Sequence, residues 1–261
     1  MLIVMAVWNT VENKRTEMTR KTLESLAKQV NMVKHRVIVS DNGSCDETQK
    51  LYEEMGELMP LTVIKNRENL GTARAINIGW SFRNPGEHAV KMDNDCVVNY
   101  SNWADDMEEA FKCDPSIGIC GLKRKDLEER PDHTVEHYRS TLRMLPHQPG
   151  QRWIVVEEVS HVLGTCQAFS SALLDKIGYL YQGDWKYGFD DSLASLRAHV
   201  AGFKTVFLPN IDMDHIDPGG DAYAKQKQDD AGLVIQRYGE IVLEYRMGKR
   251  PVFFDGGQDI N

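Results

Sequence analysis

"HRVIVSDNGSCDET", residues 35–48, changes character twice within a short span. Through Asp41 it is an apolar, β-branched run of strand length, and Asn42-Gly43 is a turn dipeptide. Ser44 then stands three positions before Glu47. That is the spacing of a capping box, in which Ser44 caps the next helix and Glu47 reaches back to it. A strand, a tight turn and a helix start in immediate succession make the βα unit of a layered α/β protein.

The same alternation runs outward in both directions. "LIVMAVW" (2–8) reads as a continuous apolar strand, and Leu23, Leu26 and Val30 mark a helix over 16–30. Downstream, "LTVIKN" (61–66) is a strand, and Ala73, Ile76 and Trp80 are the buried stripe of a helix. "HAVKMDND" (88–95) is the fourth strand. Trp103, Met107, Ala110 and Phe111 give an amphipathic helix, and "IGICGL" (117–122) another strand. Such alternation predicts a mostly parallel sheet with helices on both faces.

The second half is less regular. Residues 123–152 form a polar excursion with seven Lys/Arg, three His and three Pro. "SSALLDKIG" (170–178) reads as a helix closed by Gly178. "DDSLASLRAHVAG" (190–202) reads as a helix with Leu193, Leu196 and Val200 inward, and "FKTVFLP" (203–209) as a strand ended by Pro209. A charged helix and a Gly-rich tail follow "HIDPGGD".

The 261 residues are 41% hydrophobic and 27% charged, a soluble globular mixture. A formal net charge of −8 argues against a protein that coats nucleic acid or an anionic membrane. Cys45, Cys96, Cys113, Cys120 and Cys166 are scattered without C-x-x-C spacing, which reads as a reduced chain rather than a disulfide scaffold or zinc site. The opening "MLIVMAVW" lacks a basic flank and a cleavage site, so it reads as a buried strand and not a signal peptide. No run approaches the ~18 apolar residues of a membrane span. The expectation is a cytoplasmic protein, peripheral to a membrane at most.

Ligands of open α/β sheets sit beyond the carboxyl ends of the strands. "WN" (8–9), "SDNGS" (40–44) and "DND" (93–95) all lie at such ends. Asp93 and Asp95, at i and i+2, project to one side of an extended chain. A carboxylate pair there can hold Mg²⁺ or Mn²⁺ and leave positions for water and phosphate. Taken alone, a D-x-D is in most proteins a solvated turn.

"VIVSDNGSCDET", "NRENLGTARAINIGW", "KMDNDCVV" and "YGFDDSLASLRAHVAGFKTVFLPNIDMDH" occur in this order. Together they resemble the family 2 type of nucleotide-sugar glycosyltransferases with the GT-A fold, over roughly residues 1–217. The resemblance implies an α/β, Rossmann-like GT-A domain over 1–217; the polar excursion 123–152, a candidate acceptor region, and the C-terminal helical extension 218–261 lie outside its motifs. It implies a donor site at Asn9, Asp41, Asn69, Arg74, Asp93 and Gly164, with Asp41 accepting a hydrogen bond from the base, usually uracil. It implies a Mn²⁺ or Mg²⁺ site at Asp95, Asp93 and His215, and an acidic pair Asp190-Asp191 with Asp191 as general base. Trp185 and Tyr187 would offer aromatic faces to the acceptor, with core packing as the competing reading. In relatives an arginine precedes the asparagine matching Asn77, whereas this chain has Ile76 there and Arg74 two residues earlier. Asn42 replaces the second aspartate of the commoner Asp-Asp-Gly-Ser, and Asp190 stands where relatives often carry Glu.

Moving a sugar onto a hydroxyl needs a base at the acceptor oxygen and charge stabilisation at the departing diphosphate. One base opposite a leaving group favours direct displacement with inversion. The reading is a metal-dependent, inverting glycosyltransferase using a nucleoside-diphosphate sugar, UDP-sugar favoured. Its acceptor would be a glycan, a lipid-linked sugar, a protein side chain or a hydroxylated nucleobase. The basic excursion and the late cluster Arg246, Lys249, Arg250 would suit an anionic acceptor, although a solvated face is the plainer reading. One alternative is a sugar-nucleotide nucleotidyltransferase, which needs a Gly-rich loop where this chain reads "NTVENKRTE". The other is a non-catalytic nucleotide- or glycan-binding module, against which both acidic pairs and His215 argue.

Overall fold

The alternation becomes a ten-stranded sheet in the computed structural model, which describes residues 1–126, 141–146, 153–217, 219 and 222–257. Across the sheet the order is β3 (Leu61–Lys65), β2 (Arg36–Asp41), β1 (Leu2–Val7), β4 (Ala89–Met92), β9 (Cys166–Phe169), β6 (Ile117–Arg124), β10 (Lys204–His215), β8 (Val155–Val159) and β7 (Thr141–Met144). β5 (Cys96–Val98) pairs with the far end of β10. The strands from β3 to β4 are parallel, as are β6 and β10. β9 runs antiparallel between β4 and β6, which makes the sheet mixed beyond its N-terminal half.

β1 shows why its sequence is apolar without interruption. Ile3, Met5 and Val7 face a core with Leu23 and Leu26 of α1 (Thr16–Gln29), Leu51 and Met55 of α2 (Asp46–Leu58), and Trp103 and Met107 of α4 (Trp103–Cys113). Leu2 and Val4 face the opposite core, with Ile76 and Trp80 of α3 (Thr72–Trp80), Leu173 of α5 (Ser171–Ile177) and Ala194 of α6 (Asp190–Val200). A strand covered on both faces has no solvent side to alternate with.

Three local expectations are corrected. Ser44 does not cap α2: the N-cap is Cys45, with no side-chain cap bond. The Ser44 hydroxyl instead accepts the Asn9 N–H, because the end of β1 offers a donor there. Pro209 does not end its strand. The ladder to β6 breaks between Leu208 and Asp212, where proline lacks an N–H, and β10 then continues to His215. Val200 is 42% exposed, and the inward stripe of α6 is Leu193, Ala194, Arg197 and Ala198.

Other local readings match the structure. Ser170 caps α5 by accepting the Leu173 N–H, and Gly178 closes it at φ +73°. A side chain at Gly178 would collide with the Phe254 carbonyl. The C-terminal helix α7 (Ala222–Arg246) packs Ile241 and Tyr245 against Trp185 and Leu193. The tail beyond it pairs with the end of α5: Phe254 N–H donates to Ile177 C=O, and Tyr179 N–H to Phe254 C=O. Buried Arg197 ties these pieces together by donating to the carbonyls of Ile177, Tyr179 and Val252. No described helix is long and apolar enough to cross a membrane. Of the polar excursion, residues 127–140 and 147–152 lie outside the described residues.

Candidate active site

The D-x-D turn is held by its middle residue. Asn94 Nδ2 donates to Asn9 Oδ1 at 3.1 Å and to Thr19 Oγ1 at 2.8 Å, while Asn9 Nδ2 donates to Thr19 Oγ1 at 2.9 Å. Asp93 N–H donates to Thr165 C=O at 2.9 Å. The turn is thereby pinned to the ends of β1 and α1 and to the loop before β9, and both aspartates line one cavity of about 420 Å³. Asn9 thus acts beneath the site and does not line it.

Antiparallel pairing of β5 with β10 sets Cys96 opposite His215, and Ile216 N–H donates to Asp95 C=O at 2.8 Å. This places His215 Nε2 3.7 Å from Asp95 Oδ1. Asp217 joins them, and the ligand atoms of Asp95, His215 and Asp217 lie within 4.8 Å of one another. Asp95 Oδ1 is buried and has no hydrogen-bond donor, while its other oxygen is taken by Arg15 Nη2, which also bonds Asp217 Oδ2 at 2.8 Å. Two carboxylates and an imidazole around an undonated oxygen suit a Mg²⁺- or Mn²⁺-type cation, so the residues fit one. Asp93 is not in this set. Its carboxylate faces Lys91 Nζ at 3.5 Å instead.

Lys91, on β4, is 3% exposed and organises the other half of the site. Its ammonium donates to Gly164 C=O at 2.8 Å and pairs with Asp190 Oδ2 at 3.0 Å. Burial alone would lower its pKa, but the carboxylates of Asp190, Asp93 and Asp191 raise it above the ordinary lysine range. Gly164 faces Asp191 through its N–H, which donates to Oδ2 at 3.0 Å. A Cβ on Gly164 would lie 2.5 Å from Lys91 Nζ and 3.2 Å from Asp191 Cβ. The space beside this glycine is therefore filled by the chain's own lysine and aspartate.

Asp191 lies in the first turn of α6, with Oδ1 accepting the Ser192 N–H at 2.7 Å and His161 Nε2 3.4 Å from Oδ2. Burial favours the neutral acid, but His161, Lys91 and the Ser192 N–H bring its pKa down to about 2. The carboxylate is ionised at neutral pH. Phe189, just before the pair, sits in the left-handed region at φ +64° and stacks on Tyr238 of α7 at 4.1 Å. Strain of this kind persists where the surroundings hold it, here through a helix packed on the loop.

Asp93, Asp95, Gly164, Tyr187, Asp190, Asp191 and His215 all line the cavity. Asp41, Asn69, Arg74 and Trp185 do not. Asp41 is 1% exposed, and Tyr52 Oη, Gln49 Nε2 and Ser44 N–H all donate to its oxygens. Asn69 accepts the Gly71 N–H and the Asn42 amide. Arg74 is exposed. Trp185 is 8% exposed, packs with Leu193, Ile241 and Tyr245, and donates Nε1 to Gly188 C=O, so its faces are covered and packing is its role. In the late basic cluster, Arg250 pairs with Glu244.

Sequence reasoning missed Lys91, His161, Arg15, Arg124 and Asp217. Lys91 carried a usable signal, since a lysine inside the apolar run of "HAVKM" demands a partner. Asp217 stands two residues past His215, the same-side spacing already used for the D-x-D. The two arginines and His161 carried none.

A sequence model of glycosyl transferase family 2 matches residues 3–178. Among solved structures, the mannosyltransferase PcManGT from Pyrobaculum calidifontis, in complex with GDP-Man and Mn²⁺, is similar with TM-score 0.64 and 18% identity, over 90% of this chain and 64% of that one. GalNAc-T7 with UDP, GalNAc and Mn²⁺ gives TM-score 0.60 and 15% identity over 83% of this chain and 43% of that one. S. aureus TarS 1–349 with UDP-GlcNAc gives TM-score 0.57 and 17% identity over 84% and 59%. This chain therefore spans less than two thirds of the length of each, and the likeness is one of fold. Among curated protein sequences, none matches the chain.

Proposed function

This chain belongs to glycosyl transferase family 2, and from that premise we propose that it moves a sugar from a nucleoside-diphosphate donor onto an acceptor hydroxyl with inversion. One observation carries the reading: the D-x-D aspartates, the His215–Asp217 end of β10 and the Asp190–Asp191 start of α6 meet in a single cavity. UDP-sugar is the favoured donor, since UDP or UDP-GlcNAc accompanies GalNAc-T7 and TarS, whereas PcManGT is recorded with GDP-Man.

Asp95, His215 and Asp217 would hold Mn²⁺ or Mg²⁺. When bound, that cation offsets charge developing on the departing diphosphate. Asp191 takes the proton of the acceptor hydroxyl while the hydroxyl oxygen bonds to the anomeric carbon and the bond from that carbon to the diphosphate breaks. The backbone N–H groups of Gly164 and Ser192 hold Asp191 for this. Lys91 fixes Asp190 beside it, keeping two adjacent carboxylates from repelling one another. Phe189 and Tyr187 wall the acceptor side of the cavity.

The test is a panel of UDP- and GDP-sugars incubated with the protein and Mn²⁺, with released nucleoside diphosphate measured and products identified by mass spectrometry. Transfer or slow donor hydrolysis that disappears with EDTA is expected. A protein that neither cleaves nor binds any donor of the panel would sink the proposal.

A further inference from the structure

Arg124 ends β6 on the wall of the same cavity, and nothing in the donor reading assigned it a task. Its guanidinium is held flat by Asp126, with Nε to Oδ1 at 2.9 Å and Nη2 to Oδ2. Nη2 also donates to His215 Nδ1 at 2.9 Å, and Nη1 bonds no described residue. Lys91, the other cation on the cavity wall that no carboxylate of the metal cluster holds, has its ammonium engaged by Gly164, Asp190 and Asp93. Arg74 is exposed and does not line the cavity. Among the described residues lining the cavity, Arg124 is therefore the cation with a donor left over for a ligand.

An arginine only donates, so His215 Nδ1 accepts this bond. Resting on the donor reading above, we propose that Arg124 is the residue that grips the donor's diphosphate, from a guanidinium that Asp126 and His215 hold at the cavity wall. Its planar fork, already oriented by Asp126, matches phosphate oxygens better than a lysine would.

Calorimetric titrations of Mn²⁺ alone, and of UDP and GDP at saturating Mn²⁺, into the parent, Arg124→Met and Arg124→Lys test this. Arg124→Met should bind the nucleoside diphosphate about 10- to 100-fold more weakly, with Arg124→Lys between the two. Mn²⁺ alone should bind Arg124→Met at least as tightly as the parent, because a neighbouring positive charge has left His215. Undiminished diphosphate affinity in Arg124→Met overturns the proposal. So does weaker Mn²⁺ binding in that variant, which would make Arg124 a mere support of His215. A parent that binds neither UDP nor GDP with Mn²⁺ overturns the donor reading itself, an outcome distinct from a parent and variant that bind alike.

Discussion

Replacing Lys91 by methionine keeps the length of the side chain and deletes one buried ammonium. That ammonium sits 2.8 Å from Gly164 C=O, 3.0 Å from Asp190 and 3.5 Å from Asp93. Removing one partner of a buried pair typically costs about 3–5 kcal/mol, and the lower end applies because the Asp93 side chain is 35% exposed and can return to water. A loss of about 3 kcal/mol corresponds to a Tm lowered by roughly 6–12 °C in a chain of this size. The pH dependence has a definite sign. The folded pKa of Lys91 is raised, so its contribution is complete below the ordinary lysine value and fades only as strong alkali is approached. Thermal unfolding followed by circular dichroism at neutral and at alkaline pH measures this. Parent and Lys91→Met unfolding within a degree or two at neutral pH would mean that the ammonium is solvated and the reasoning fails.

Other perturbations have equally defined outcomes. Asp191→Asn keeps shape but cannot accept a proton, so turnover should fall on the order of 10²- to 10⁴-fold while UDP affinity in Mn²⁺ is kept; near-parental transfer would reassign the base. Asp41→Ala strands the Tyr52 hydroxyl, the Gln49 amide and the Ser44 N–H, and urea unfolding should show a loss of about 1–3 kcal/mol; an unchanged midpoint would mean that the carboxylate does not hold this turn. Gly164→Ala drives a methyl toward Lys91 Nζ and should cost about 1–3 kcal/mol with a matching fall in transfer; a variant as stable as the parent would show that the loop before β9 yields freely.

The layered fold was legible because strands buried on both faces leave an uninterrupted apolar record, as β1 does. The D-x-D was legible because it follows such a strand directly. What escaped depends on pairings between distant segments. His215 meets Asp95 only through the register that sets Cys96 against His215, and no local pattern encodes that register. Ser44 looked like a helix cap by spacing, yet a donor 35 residues away claimed its hydroxyl. Trp185 beside the acidic pair was ambiguous between stacking and packing. Its fate is decided by where α7 lies, and the helical pattern of α7 does not state which surface it covers.

The clasp made by Arg197 carries a consequence for the order in which this protein is made. Its guanidinium belongs to the helix that presents the acidic pair, but one of its carbonyl acceptors, Val252, is translated 55 residues later. Domains generally acquire structure as the chain emerges, N-terminal portions first. Here a nascent chain ending near residue 217 would hold every carboxylate of the cavity and still keep a buried guanidinium short of its acceptor. Phe254, whose backbone stitches the end of α5, would also be missing. The cavity can therefore assume its final shape only once the last stretch of the described chain has left the ribosome. On a polysome, its partly made copies would expose acids without the helix and tail that brace them.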